Sequence, residues 1–238
     1  MADANRREAL SILRLEDIVM ADNQDEHAQA QSRMHYNRVA GQSLERVAAL
    51  SDGVFAVALT LLVLDLRVPA ADAIRSERDL IVALWLLVPH LLPYFLSFMT
   101  LGIFWIGQQT QLSHFARSDR TLTWIHLGFL LAITLLPFST ALLSAFITYR
   151  VALLVYWLHL LLLGILLLTS WLYAQRVSLI KAETTIATRH AVTRRIIVYQ
   201  ALYGCSVLAC VVNTYVSIAL IIVLQLNSAL APRIRPLR

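Results

Sequence analysis

One carboxylate stands out in an otherwise apolar run. Asp52, flanked by Ser51 and Gly53, opens a segment that continues Val54-Phe55-Ala56-Val57-Ala58-Leu59-Thr60-Leu61-Leu62-Val63-Leu64 and reaches the next acid only at Asp65. An acidic side chain at the centre of a bilayer helix costs about 2.5–3.5 kcal/mol on insertion scales, so Asp52 belongs near an interface and needs a partner. Arg46 is six residues away and falls on a different helical face, so a group on another helix is as good a partner. An interfacial Ser-Asp helix cap is the simpler alternative. Thr60 is the lone polar side chain in mid-run, and a threonine there commonly bonds back to its own helix. Val57, Leu61 and Leu64 recur at i, i+4 and i+7, which puts them on one helical face. Such a stripe serves lipid contact and helix packing more often than gating, and the spacing alone does not choose.

Other chemistry is thinly supplied. His90, His126 and His159 fall in three separate apolar segments with no i, i+4 pair, so the expectation is buried histidines bonded to neighbours, with no metal site. There is no Gly-x-Ser-x-Gly elbow, no His-Glu-x-x-His and no phosphate-cradling glycine loop, so no catalytic residue is expected and the chain does not read as an enzyme. Cys205 and Cys210 lie five apart in one apolar segment, and a regular helix does not bring them within bonding distance, so both read as small core residues.

The elements that must position these groups are membrane spans. The 238-residue chain is 58% hydrophobic and 15% charged, with a mean hydropathy of +0.66. A soluble domain of that size needs a more polar surface. The hydropathy predicts an all-α integral membrane protein with six spans, at 47–66, 80–106, 121–143, 151–174, 196–212 and 214–226, the last two short for crossing. Pro89 and Pro93 supply a kink in the second and Pro137 in the third. The first 45 residues show no cleavable signal peptide, leaving targeting to the first span, and Arg6–Met20 reads as a helix. With both ends in the cytosol, sixteen of the twenty Lys and Arg lie inside and only Arg67, Arg75, Arg78 and Arg150 lie outside. This accounts for the net charge of +5 and the pI of about 9.6 without nucleic acid as a partner. The expected organisation is a cytosolic segment over 1–45, a membrane domain over 46–228 and a basic cytosolic tail over 229–238. The tryptophans, Trp85, Trp105, Trp124, Trp157 and Trp171, fall mostly near span ends and read as interfacial anchors, with Trp105 able to pack beside the Asp52 region.

Ordered motifs carry a resemblance. Arg46-x-x-x-Leu50-Ser51-Asp52-Gly53 is followed by Thr60-Leu61-Leu62-Val63-Leu64-Asp65 and Arg67-Val68-Pro69. Leu92-Pro93-Tyr94-Phe95-Leu96-Ser97-Phe98, Gly102-Ile103-Phe104-Trp105, Arg117-x-Asp119 and Leu136-Pro137-Phe138-Ser139-Thr140 come after. Together they resemble the signature of the transmembrane protein 175 family, the lysosomal potassium channels of animals and their prokaryotic relatives. The resemblance implies a six-helix subunit in a homotetramer, its pore on the symmetry axis and lined by four copies of the first helix. It implies a potassium-permeable pore without a Thr-Val-Gly-Tyr-Gly filter, in a prokaryotic plasma membrane, with no cofactor beyond permeant potassium ions. On that reading Val57, Leu61 and Leu64 form apolar rings and Thr60 is the pore threonine. Asp65 is then a mouth carboxylate, unless it pairs with Arg67. Arg46, Ser51, Asp52, Gly53, Trp105 and Asp119 make up the motif network. Two departures matter: Gln108 and Gln109 stand where relatives often carry a His pair, and a glutamine bonds but does not titrate. A secondary transporter or proton-coupled carrier is the competing reading, disfavoured by the apolar middle of the first span and the lack of a paired repeat.

Overall fold

The computed structural model describes residues 44–211 and 213–229. The expected helix at Arg6–Met20, most of the 1–45 segment and nearly all of the 229–238 tail lie outside the described residues. Seven α-helices run through those that are described: α1 (Leu44–Leu61, extended by a 3-10 turn over Leu62–Asp65), α2 (Glu77–His114), α3 (Arg120–Thr134) and α4 (Leu136–Ala145). α5 (Arg150–Arg176), α6 (Ile186–Leu208, with a 3-10 turn over Ala209–Val211) and α7 (Thr214–Ala229) complete the series.

Local signals place the helix starts. Ser76 caps α2 by accepting the Asp79 N–H at 3.2 Å, Asp119 caps α3 by accepting the Leu122 N–H at 2.7 Å, and Thr185 caps α6 through the Thr188 N–H at 3.2 Å. α2 runs unbroken through Pro89 and Pro93, and its 38 residues make it about 57 Å long, well beyond the roughly 30 Å hydrocarbon thickness. The expected third span is two helices. Pro137 has no N–H to give the Ile133 carbonyl and its ring crowds that oxygen, so the helix breaks at Leu135. The Ala132 carbonyl at the break accepts from Leu135 N at 3.1 Å and from His159 Nε2 at 2.8 Å, while Ser139 Oγ lies 2.6 Å from His159 Nδ1. A carbonyl can only accept, so Nε2 carries the proton and Nδ1 accepts from the serine hydroxyl. One histidine on α5 thereby stitches both halves of the broken span.

Four helical stretches have the length and hydropathy to cross a membrane: Leu44–Asp65, Glu77–His114, Arg120–Ala145 and Arg150–Arg176. With the family shown below, they make the chain an integral membrane protein. α6 starts ten residues earlier than the apolar pattern suggests and carries Arg189, His190, Arg194 and Arg195 in its first half, and α7 has 16 residues. The connection before α6 is correspondingly short. It is no free polar loop: Leu179 and Ile180 are buried with Phe115, Leu122 and Trp171, and Ala116 N donates to Leu179 O at 2.8 Å.

α1 packs on α2, α3 and α4 and occupies one edge of the bundle; α6 occupies the opposite edge, against α5 and α7. Only 22% of the apolar window of the first span and 17% of the second is buried within the chain, against 50% for Arg120–Ala145. The first two spans therefore offer wide apolar surface to whatever surrounds the subunit.

Candidate functional site

α1 buries a single narrow stripe. Ser51, Phe55, Ala58 and Leu62, at i, i+4, i+7 and i+11, face the bundle, where Phe55 meets the Phe129 ring with centroids 6.2 Å apart. Val54 and Leu59 flank the stripe half-buried against the same core, and the opposite face is outside. Val57, Leu61 and Leu64 are 57%, 43% and 72% exposed. The switch to 3-10 geometry at Leu62 matters, because residues three apart eclipse in a 3-10 turn, so Leu64 lies directly above Leu61. Thr60 Oγ1 donates to the Val57 carbonyl at 2.8 Å, turned back on its own helix as expected. Asp65 ends the 3-10 turn half-buried, and among the described residues no ion pair joins it to Arg67.

The Ser51-Asp52 pair is where α1 is pinned, and the two residues look in different directions. Asp52 is exposed on the flank towards α2, where its Oδ1 accepts from Trp105 Nε1 and from Gln109 Nε2, both at 2.7 Å. Two N–H donors converge on one carboxylate oxygen in short bonds. Ser51 is fully buried; its hydroxyl donates to Val47 O at 2.7 Å and accepts from Gln108 Nε2 at 3.0 Å. The same Gln108 amide lies 3.3 Å from His126 Nδ1, and His126 Nε2 lies 3.2 Å from Ser170 Oγ. An amide N–H aimed at Nδ1 requires the imidazole proton on Nε2, facing Ser170. Ser51, Gln108, His126 and Ser170 are all buried and link α1, α2, α3 and α5 in one chain of hydrogen bonds.

The expected motif network is thus divided. Ser51, Asp52 and Trp105 belong together, and Arg46 lies exposed in the first turn of α1. Asp119 does not join them: it caps α3 and its Oδ2 accepts from Tyr173 OH at 2.6 Å, a separate junction between α3 and α5. Gly53 is exposed, and a Cβ built there meets nothing within 4 Å. The three histidines stay apart, His90 with Ser144 at 2.9 Å, and among the described residues no cluster of His, Cys, Asp and Glu could hold a metal. Two readings from sequence are corrected. Trp171 is no interfacial anchor; it is fully buried and stacks on Phe115 at 6.0 Å. Cys205 is exposed, and only Cys210 is a core residue.

Sequence reasoning also missed a polar cluster within the bundle. Thr140 donates to Ser97 at 2.7 Å, Ser97 to Tyr156 OH at 3.1 Å, and Gln225 Nε2 to Thr100 Oγ1 at 2.7 Å, with Thr100 itself 3.1 Å from Tyr156. The usable signal was Ser97 and Thr100 three apart in an apolar helix, one face of polar groups that must find partners on neighbours.

Comparison with known proteins agrees with this architecture. The model of the endosomal/lysosomal potassium channel TMEM175 family matches residues 46–137. A potassium channel of Streptomyces collinus is 39% identical over 102 residues, 43% of this chain and 48% of that protein. A potassium channel of Chamaesiphon minutus is 30% identical over 191 residues, 78% of this chain and 93% of that one. The chain thus spans about half of the first relative and nearly all of the second. Animal matches are named endosomal/lysosomal proton channel TMEM175. The crystal structure of a lysosomal potassium-selective channel TMEM175 homolog from Chamaesiphon minutus superposes with a TM-score of 0.67 at 28% identity, covering 79% of this chain and 96% of that one. Helix order, the pinned first helix and a relative aligned along most of both chains lead to one assignment: this chain belongs to the TMEM175 family, a family of ion channels rather than enzymes.

Proposed function

We propose that the protein is a potassium-permeable cation channel, a homotetramer of six-span subunits with four copies of α1 around the axis. The observation that carries this reading is the asymmetry of α1. One stripe is buried in the subunit and the helix is tied down near its middle through Asp52 and Ser51, while Val57, Leu61 and Leu64 stand outward at the edge of the bundle. Four such edges brought together make stacked apolar rings, which conduct when they are wide enough to stay wet. Gly53, with Ala49 and Ala56 on the same outward face, lets neighbouring copies approach closely near the pinned middle of the helix. Asp65 beyond the last ring places four carboxylates at the mouth, where they concentrate cations. The remaining spans are α6 and α7, with both termini cytosolic in a prokaryotic plasma membrane, as the distribution of Lys and Arg favours.

Purified protein in potassium-loaded liposomes tests the proposal. It is expected to dissipate a potassium gradient passively, with less sodium flux and with proton flux followed in parallel. Absence of flux at every imposed voltage would sink the channel reading, and a saturating, strictly coupled flux would favour a carrier. Leu61→Ala or Val57→Ala is expected to raise flux and weaken discrimination against sodium; unchanged flux removes that position from the pore.

A further inference from the structure

On the side of the bundle away from α1, a cavity opens between α2, α5, α6 and the end of α7, with about 680 Å³ of empty space counting its mouth. On the proposed six-span arrangement the cavity lies at a membrane interface. Gln111 lies three residues before the end of α2, Ser228 next to last in α7, and Arg195 immediately before the apolar half of α6. Phe104 and Leu167 line it more deeply and are apolar.

Three buried polar atoms in these walls have no partner. The Gln111 side chain is 1% exposed; its Nε2 donates to Leu167 O at 3.1 Å, leaving Oε1 unbonded. Gln200 does the same, with Nε2 on Leu160 O at 3.2 Å and Oε1 unbonded. The Tyr199 hydroxyl is the third. Because both amide nitrogens are committed to backbone carbonyls, both free oxygens are acceptors, and a buried acceptor left empty is costly. The arrangement is built in: a Cβ at Gly164 would collide with Gln200 Nε2, so a glycine on α5 is what allows Gln200 to lie there. At the rim, the exposed Arg195 guanidinium stands 6.0 Å from the Tyr199 ring centroid, and no carboxylate is among the described lining residues. Residues 176–195 carry Arg176, Lys181, Arg189, Arg194 and Arg195 against Glu183 alone.

A cation at the rim, a buried phenol and two amide acceptors within, and an apolar floor describe a specific guest. We infer that the cavity binds the headgroup of an anionic phospholipid whose phosphate meets Arg195 and Tyr199 and whose hydroxyls donate to Gln111 and Gln200, the chemistry of phosphatidylglycerol. Phosphatidylcholine lacks both the net charge and the donors. Phosphatidylethanolamine has donors but no net charge to offset the positive field. The inference rests on the membrane embedding of the chain and holds whether or not the protein conducts.

Native mass spectrometry of the full chain in detergent, with each lipid added in turn, tests it. Phosphatidylglycerol is expected to be retained in preference to phosphatidylethanolamine, and that over phosphatidylcholine. Arg195→Gln, at an exposed site that leaves the fold intact, is expected to weaken phosphatidylglycerol retention about fivefold, with recovery in Arg195→Lys. Gln111→Leu is expected to lower the preference over phosphatidylcholine without abolishing lipid binding altogether. Equal retention of phosphatidylglycerol and phosphatidylcholine, or retention unchanged in Arg195→Gln, would overturn the assignment, leaving ordered water as the guest. Displacement of the lipid by glycerol phosphate at equal concentration would also overturn it, in favour of a soluble ligand.

Discussion

Trp105 Nε1 donates to Asp52 Oδ1 at 2.7 Å, joining the outward flank of α1 to α2 one helical turn from where Gln109 reaches the same oxygen. This is the contact that converts a lone membrane carboxylate into an anchor. Two donors from a single neighbouring helix converge on one oxygen of the charge.

The anchor has a measurable cost of removal. Trp105→Phe keeps the ring and deletes the donor, and is expected to destabilise the detergent-solubilised protein by about 1 kcal/mol; Asp52→Ala strands both donors and is expected to cost more, about 2 kcal/mol. Thermal unfolding of the purified variants gives both numbers, and a neutral Asp52→Ala would show that the bonds hold nothing in place.

Cysteines at the three outward positions separate pore from lipid. In a Cys205→Ser, Cys210→Ala background, charged water-soluble thiol reagents are expected to block flux through Val57→Cys, Leu61→Cys and Leu64→Cys. Phe55→Cys, on the buried stripe, should stay unmodified. A lipid-facing stripe would give no block at any of the three.

Gly53 and Gly164 predict opposite outcomes for the same methyl. Gly164→Ala must push Gln200 aside and is expected to lower stability by about 1–3 kcal/mol. Gly53→Ala meets nothing within the subunit and replaces a poor helix former, so subunit stability should hold or rise by up to about 1 kcal/mol. A bulkier Gly53→Leu is then expected to shift size-exclusion profiles towards smaller assemblies with the subunit still folded. Unchanged assembly would place Gly53 away from any contact between copies.

The His159 bridge across the broken span makes a last case. His159→Phe fills similar volume but leaves Ser139 and the Ala132 carbonyl without that partner, and is expected to cost about 1–3 kcal/mol in thermal unfolding.

Sequence alone determined that the chain is membrane-embedded and helical, and where its apolar stretches begin, because hydrocarbon enforces composition residue by residue and leaves the backbone little choice but helix. Asp52 could be singled out in the same way, since a carboxylate beside an apolar run is costly wherever the run folds. The resemblance already grouped Trp105 with that carboxylate, but which atoms pair was another matter. Trp105 and Gln109 are 53 and 57 residues away, and only the packing of α1 on α2 puts both donors on one oxygen. The same holds for Gln108, His126 and Ser170, for Asp119 turning to Tyr173, and for the orphaned acceptors around Arg195. Each is a polar group whose neighbour lies on another helix, and side-chain periodicity fixes which face a residue occupies without saying what that face will meet. Tertiary structure decided the pairings, because in an interior poor in water each buried donor and acceptor must find its match across a helix interface.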